Sequence, residues 1–457
     1  MSANELFDPA RLKKYNINGP RYTSYPTALT FSGLSEPAPL EKALSVTQAS
    51  GVSLYVHIPF CHSLCYYCGC NKIVTRHQEK ADRYLDYLEK EIQRRAPVFR
   101  HRKAEQIHLG GGTPGFLTDQ QQTRLAGMLK SAFDVVSDAE MSIEIDPRRT
   151  TPAYLRHLAS LGYNRLSIGV QDTDYRVQEA INRVQSTSHI ATLVDCARSA
   201  GFKSVNLDLI YGLPHQTADT FASTLAAVKA MAPERISLFS YAHLPERFAA
   251  QRKIKDEWLP SAQVKTGLMK QAITSLTQAG YEMIGMDHFA LPSDELAEAQ
   301  RNKKLHRNFQ GYTTRGDLDL LGLGVSSISA AGNAYLQNPK TLNDYYGKLD
   351  SNEEIAEKGV FLSPSDLLRR YVIQQLMCNL AVDFSATEAL FGIQFRQHFE
   401  PELAALKEFE EDGLLQVTGT GIEVFPSARL FIRIICMTFD AYLKGSAAIQ
   451  HRYSRVI

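Results

Sequence analysis

The chemistry this chain can do is concentrated in Phe60-Cys61-His62-Ser63-Leu64-Cys65-Tyr66-Tyr67-Cys68-Gly69-Cys70, which holds four of its seven cysteines. Three residues separate Cys61 from Cys65, and two separate Cys65 from Cys68. Crowding of this kind points to metal or redox chemistry rather than to structural disulfides. A cubane [4Fe–4S] cluster normally takes four thiolates, one per iron. Three thiolates on a tight loop can hold three irons and leave the fourth open to bind and activate a small molecule. Two alternatives stand beside this reading. A structural zinc site would pair C-x-x-C turns across a longer spacer, which this spacing fits poorly; the other is a cluster that only carries electrons. Cys196, Cys378 and Cys436 lie in apolar surroundings and read as small buried residues.

Further candidates follow short β-branched runs. Gly110-Gly111-Gly112-Thr113-Pro114 presents bare backbone that a ligand can approach, although a plain strand-to-helix turn would also use it. Glu144 and Asp146 end one run, where a carboxylate can accept hydrogen bonds from ribose hydroxyls. Gln171 ends the next, Asp208 lies on the one after, and Tyr241-Ala242 closes another. Each singly could be a solvated loop residue; so many at consecutive strand mouths argue for a site. An isolated arginine such as Arg183 is more often a surface charge.

These residues need a frame to position them. Strands are predicted at Leu54–Ile58, Gln106–Leu109, Met141–Ile145, Arg165–Val170, Val205–Ile210 and Ile236–Ser240, with a weaker seventh at Glu282–Met286. Ala81, Tyr84, Leu85, Leu88 and Ile92 share one helical face. Further helices are predicted over Thr118–Phe133, Pro152–Leu161, Ser188–Ala200, Thr217–Met231 and Ala262–Ala279, several closed by Gly162, Gly201 or Gly280. Repeated strand–helix units favour a parallel sheet wrapped by helices. Polar residues at the C-terminal strand ends favour a partial (β/α)6-type barrel. The expected division is an N-terminal arm or lid at 1–45, the barrel at 46–290, a linker and barrel-completing segment at 291–363, and a C-terminal domain at 364–457. That last domain reads as small, mainly helical and winged-helix-like: a helix at Leu367–Leu380, a β wing at Leu414–Phe425 and an apolar helix at Arg429–Leu443.

Composition excludes several classes. Fifty Lys and Arg balance 49 Asp and Glu, so charge offers nothing to a nucleic acid or membrane surface. Met1 to Pro20 has no signal-like apolar core, and the longest uncharged run, Leu320 to Pro339, is broken by Gly, Ser and Asn. A cytoplasmic protein is expected, with no nucleic-acid or membrane partner.

Cys-x3-Cys-x2-Cys after a barrel's first strand resembles the radical S-adenosylmethionine (SAM) signature. The resemblance implies that the open iron chelates SAM and that one electron cleaves it to a 5′-deoxyadenosyl radical. The longer string Tyr55-Val56-His57-Ile58-Pro59-Phe60-Cys61, with Cys68-Gly69-Cys70-Asn71-Lys72, resembles the oxygen-independent coproporphyrinogen III oxidase (dehydrogenase) family. The likeness extends through Gly19–Thr27, Gly110–Pro114, Ser167–Asp172, Asp208–Pro214, Tyr241–Pro245, His306–Thr314 and Tyr453–Ile457. It implies oxidative decarboxylation of two propionates of coproporphyrinogen III to vinyl groups, giving protoporphyrinogen IX, in haem biosynthesis. It further implies a [4Fe–4S] cluster on Cys61, Cys65 and Cys68, and two SAM per chain. Tyr55, Tyr67, Gly111, Glu144 and Ile328 are implied near the cluster-bound SAM; Tyr67 stands where some relatives carry Phe. Gly112, Thr113, Gln171, Arg183, Asp208 and Ala242 are implied near the second. A flavodoxin-type electron donor, an unknown acceptor and a monomeric state are expected.

Haem chaperones share the barrel and the three cysteines. They usually carry Phe in place of Cys70 and lack the Arg21-Tyr22-Thr23-Ser24-Tyr25-Pro26 arm, so both features favour the enzyme. Cys70 could ligate the cluster when SAM is absent, shuttle a proton or hydrogen atom, or be a bystander. A substrate with four propionates calls for cations, and Arg21, Arg252, Lys253, Lys255 and Arg307 are candidates.

Overall fold

The computed structural model describes residues 6–443 and 453. Of the terminal stretch Tyr453–Ile457, all but Tyr453 lies outside the described residues. The chain forms two compact units, one of residues 31–268 and 317–361, the other of residues 1–30, 269–316 and 362–457.

The first unit is built on one sheet. Its strands are β1 (Gly51–Ile58), β2 (Lys103–Gly111), β3 (Asp134–Ile145), β4 (Arg165–Gln171), β5 (Ser204–Tyr211), β6 (Arg235–Ser240), β7 (Leu318–Leu323), β8 (Ile328–Ala331), β9 (Ala334–Gln337) and β10 (Lys358–Phe361). Strand β7 and then β1 to β6 lie side by side and parallel. β8, β9 and β10 continue antiparallel beyond β7, and Ser32–Gly33 pairs with β10. The first six expected strands all form, each longer than the apolar run that announced it. The seventh is a correction. Glu282–Met283 pairs antiparallel with His288–Ala290 in the other unit, and the strand parallel to β1 on its other side is β7.

Alternation explains the two faces of this sheet. Leu54, Val56, Ile107, Leu109, Ile143, Ile168, Val205, Leu207 and Ile236 are at most 2% exposed. Their neighbours in sequence, Tyr55, His57, His108, Ser142, Glu144, Ser167, Asn206 and Asp208, therefore share the opposite face, since side chains alternate along a strand. Register aligns them across strands: Tyr55 with His108, His108 with Ser142, Glu144 with Ser167, and Ser167 with Asn206.

Helices bury the apolar face. α1 (Glu79–Arg95) does so with Ala81, Tyr84, Leu85, Leu88 and Ile92, and each fully buried Leu or Ile contributes about 1.5–3 kcal/mol. Thr118 and Gln121 form a capping box on α2 (Asp119–Ala132), and Thr151 caps α3 (Pro152–Ser160), whose Pro152 needs no donor in the first turn. Gly162, at φ +102°, turns the chain out of α3 in a conformation costly for other residues. Ser186 caps α4 (Thr187–Ser199) and Thr217 caps α5 (Ala218–Met231). The expected helix at Ala262–Ala279 forms as α6 (Ala262–Gln278).

In the second unit, α7 (Pro364–Asn379) carries a Ser363–Asp366 capping box. A three-stranded antiparallel sheet places Gly421–Val424 between Ala381–Asp383 and Leu415–Val417, the β wing anticipated from the turn residues. The apolar helix expected at Arg429–Leu443 is corrected to a 3₁₀ turn at Pro426–Phe431 and α8 (Ile432–Met437). Beyond Met437, Asp440 accepts from the Tyr442 amide and from the Tyr22 hydroxyl, which competes with continued helix. The arm is less extended than its prolines suggested, with helices at Pro9–Tyr15 and Pro39–Leu44. Its motif is pinned: the Arg433 guanidinium donates to the Gly19 and Pro20 carbonyls, and the Tyr25 hydroxyl accepts from the Ala441 amide. A lid that moves at this point would have to carry the C-terminal helix with it.

Candidate active site

The cysteine loop leaves β1 through Phe60–Cys61, which pairs with Ile73–Val74. The bonds that shape it come from a distant segment. The Tyr66 amide donates to the Ile181 carbonyl at 3.0 Å, and Asn182 Nδ2 donates to the Leu64 carbonyl at 2.7 Å. Arg183, next in sequence, places Nη1 3.4 Å from Cys65 Sγ. Arg148 Nη2 approaches the same sulfur at 3.4 Å. Asp146 joins the two cations, accepting from Arg148 Nη2 at 2.5 Å and from Arg183 Nη1 at 3.3 Å. These guanidiniums hold the Asp146 carboxyl below its ordinary range against the effect of burial.

All the loop cysteines are free thiols, and Cys65 is buried. Burial pushes the Cys61 thiol up to about 12, whereas the Cys70 thiol beside it, with Lys72, pulls Cys68 down to about 6. Among the described residues no three His, Cys, Asp or Glu side chains converge as a single ion would require. A cubane does not make that demand, because each thiolate binds a different iron. Three soft donors on one loop, one of them between two cations, fit such a cluster.

The second part of the site lies on the polar sheet face. His57 Nε2 faces the Asn71 carbonyl at 3.0 Å, which can only accept, so Nε2 carries the proton. Nδ1 then accepts from the Tyr55 hydroxyl at 3.1 Å. Burial lowers the His57 pKa and keeps the ring neutral. The Tyr55 ring stacks on His108 with centroids 5.8 Å apart. His108 Nε2 meets Glu144 Oε1 at 3.1 Å, and its Nδ1 meets Ser142 Oγ at 2.5 Å. The half-exposed Glu144 carboxylate is thereby oriented through one oxygen. Glycine is required beside it. Gly111 has φ +117°, and a Cβ there would lie 2.7 Å from the His57 ring. At Gly112 a Cβ would lie 2.6 Å from the Pro59 carbonyl. Backbone this close to an oriented carboxylate suits the amino acid and ribose portions of a nucleoside such as SAM.

The other sequence candidates take these places. Thr113 is buried and its Oγ1 accepts from the Asp146 amide. Gln171 sits at φ +66° where β4 ends, above Asp172, which accepts from Gln216 and Thr224. Asp208 accepts from Ser167 and Asn206. Tyr67 and Ala242 are joined by one buried amide, because Gln251 Nε2 donates to both carbonyls at 3.0 and 3.2 Å. Arg183, expected with Gln171, Asp208 and Ala242, reaches Gly169 O but also Cys65 and Asp146. Ile328 opens β8, paired with Gln337. Cys70 is exposed, its amide 3.5 Å from Cys68 Sγ.

Sequence reasoning missed His57, His108, Arg148, Asn182 and Gln251 as site residues. His57 was accessible, since it stands two residues from Tyr55 on the same strand face, whereas His108 meets Tyr55 only through the pairing of β1 with β2. The others sit on loops whose meeting depends on tertiary structure. Of the suggested substrate cations, Arg252, Lys253 and Lys255 are exposed. Arg307 is buried against Tyr312, with its Nη1 3.2 Å from the Tyr312 hydroxyl.

Residues 55–228 match the Radical SAM superfamily, and residues 362–431 match the HemN C-terminal domain. Oxygen-independent coproporphyrinogen III oxidases are similar over full length: the Salmonella typhimurium protein at 53% identity and the Escherichia coli K12 protein at 52%, each with 100% of both chains covered. The Pseudomonas aeruginosa protein is 45% identical over 99% of both chains. The solved structure of coproporphyrinogen III oxidase (HemN) from Escherichia coli, described there as a radical SAM enzyme, superposes with a TM-score of 0.91. It is 51% identical and covers 95% of this chain and 99% of its own.

Proposed function

We propose a division of labour from one premise: the chain belongs to the oxygen-independent coproporphyrinogen III oxidases, a radical SAM family. Its reaction is the anaerobic oxidative decarboxylation of two propionates of coproporphyrinogen III to vinyl groups, giving protoporphyrinogen IX for haem. The carrying observation is the Cys61, Cys65 and Cys68 thiols, with Cys70, on the loop at the C-terminal end of β1, in a chain that matches these oxidases from end to end.

When bound, a [4Fe–4S] cluster and SAM supply the one-electron chemistry that removes a hydrogen atom from an unactivated carbon. Cys61, Cys65 and Cys68 hold the cluster. Tyr55, Tyr67, Gly111 and Glu144 face the SAM beside it, with Glu144 accepting from that ligand and His108 fixing the carboxylate's orientation. Ile328, at the start of β8, is assigned to the same SAM. Gly112, Thr113, Gln171, Arg183, Asp208 and Ala242 serve a second SAM, so that two are used per chain. Arg307 and Arg21 are the cations proposed to receive substrate carboxylates. A flavodoxin-type protein supplies electrons to a monomeric, cytoplasmic enzyme; among the described residues no helix is long and apolar enough to cross a membrane.

The deciding experiment is anaerobic turnover with SAM, a reductant and coproporphyrinogen III, followed by chromatography of the oxidised porphyrins. Tri- and dicarboxylic products are expected. Haem binding without decarboxylation under any reductant would overturn the reading in favour of a chaperone. For Glu144, replacement by Gln removes a charged acceptor and weakens SAM binding by about 1.5–3 kcal/mol while the iron content stays whole. Calorimetric titration of the reconstituted variant checks this, and unchanged affinity would remove Glu144 from the site.

A further inference from the structure

Two arginines converge on one sulfur. Arg148 Nη2 and Arg183 Nη1 each lie 3.4 Å from Cys65 Sγ, and Asp146 ties both guanidiniums together. Neither cation is a loose surface charge: the Arg148 and Arg183 side chains are 16% and 7% exposed. Each is also held at its far side, Arg148 by the Asn182 carbonyl at 3.2 Å and Arg183 by the Gly169 carbonyl at 2.7 Å. Arg183 Nε is buried without a hydrogen-bond partner among the described residues, so water does little to spread that charge. A pairing that served only to fold the loop would need one cation for one carboxylate. Here two cations surround one carboxylate and one cluster ligand, leaving a fixed surplus of positive charge at the sulfur.

We propose that Arg148 and Arg183 are tuning residues, which hydrogen-bond the Cys65 sulfur and raise the reduction potential of the cluster it ligates. The inference rests on the cluster reading above. A [4Fe–4S]2+ core with three thiolates carries one net negative charge, and accepting an electron makes it two. N–H groups directed at a ligating sulfur withdraw electron density from it, and nearby cations favour the more negative state. Both effects stabilise the reduced cluster, the form that must be populated before SAM can be cleaved. Asp146 limits the effect and fixes the geometry by clamping both guanidiniums. Arg148 is the informative position, because Arg183 is also proposed to serve the second SAM.

The test uses the full chain, anaerobically reconstituted and free of SAM, titrated with dithionite and redox mediators while the reduced cluster is followed by electron paramagnetic resonance. Arg148→Gln removes the charge and should lower the ratio of reduced to oxidised cluster about tenfold at a fixed potential, equivalent to about 59 mV for a one-electron couple. Arg148→Lys keeps the charge without the planar fork and should recover part of the shift. Iron and sulfide contents should match the parent protein in both. An unchanged potential in Arg148→Gln overturns the proposal. Loss of iron from that variant also overturns it, making Arg148 a clamp for the loop rather than a tuning residue. A parent protein with no reducible cluster would instead sink the cluster reading itself.

Discussion

Replacing Cys65 by Ser is expected to strip the protein of its cluster and abolish SAM cleavage altogether. The parent protein, reconstituted anaerobically, should carry about four irons and four sulfides per chain. A serine hydroxyl stays protonated where a thiol ionises, so it offers no anionic soft donor to an iron. The structure makes this position the most sensitive of the three, because Cys65 Sγ is also what Arg148 and Arg183 face. Without that sulfur the two guanidiniums keep Asp146 as their shared carboxylate, with the Asn182 and Gly169 carbonyls at their far sides. Cys61→Ser and Cys68→Ser should lose the cluster too. Cys378→Ser and Cys436→Ser should keep it, since both residues are buried in the unit that contains none of the loop cysteines. Iron and acid-labile sulfide analysis reads all five variants. Stoichiometric zinc without sulfide in anaerobically purified parent protein would refute the assignment.

Deleting residues 1–30 should have the second-largest effect, and the structure says it acts on stability as well as turnover. Arg433 is 3% exposed and would lose the Gly19 and Pro20 carbonyls that satisfy its guanidinium. Asp440, 2% exposed, would lose the Tyr22 hydroxyl, and the Ala441 amide would lose Tyr25. Each of the two buried side chains stranded in this way, Arg433 and Asp440, costs about 1–3 kcal/mol. Together they are comparable with a large part of the roughly 5–15 kcal/mol that holds a domain folded. Calorimetry of the truncated protein should therefore show early melting, with porphyrinogen decarboxylation lost and cluster content kept, since Cys61, Cys65 and Cys68 belong to the other unit. Tyr22→Phe isolates a single bond and should lower stability by about 1–3 kcal/mol. A truncated protein that melts like the parent would show the arm to be a detachable flap.

Much of this arrangement was legible in the sequence, for reasons that differ by element. Strands β1 to β6 announced themselves because Leu54, Val56, Ile107, Leu109, Ile143, Ile168, Val205, Leu207 and Ile236 alternate with polar residues, and the helices because Thr118, Thr151, Ser186 and Thr217 mark their starts. Strand β7 was missed because Leu318–Leu323 reads Leu-Asp-Leu-Leu-Gly-Leu, in which Asp319 and Gly322 break any apolar alternation. Glu282–Met286 misled because only Glu282 and Met283 pair, and Gly285 lies where a Cβ would run into the Tyr312 hydroxyl. Within the site, Cys61, Cys65, Cys68, Gly111 and Glu144 carried their chemistry in their own types. Arg148, Asn182 and Gln251 did not, since an arginine or an amide acquires a role only when a distant loop is folded against it.

The three protein bonds on the cysteine loop have a bearing on how the enzyme matures. Ile181 and Asn182 grip Leu64 and Tyr66 from one side, and Gln251 grips Tyr67 from the other. Each bond joins protein to protein, so the loop's shape does not wait for iron. Ordering a residue costs about 1–2 kcal/mol of backbone entropy, and here that cost falls on the folding of the sheet rather than on metal capture. A cluster arriving at this loop would thus meet backbone already bonded to the rest of the protein.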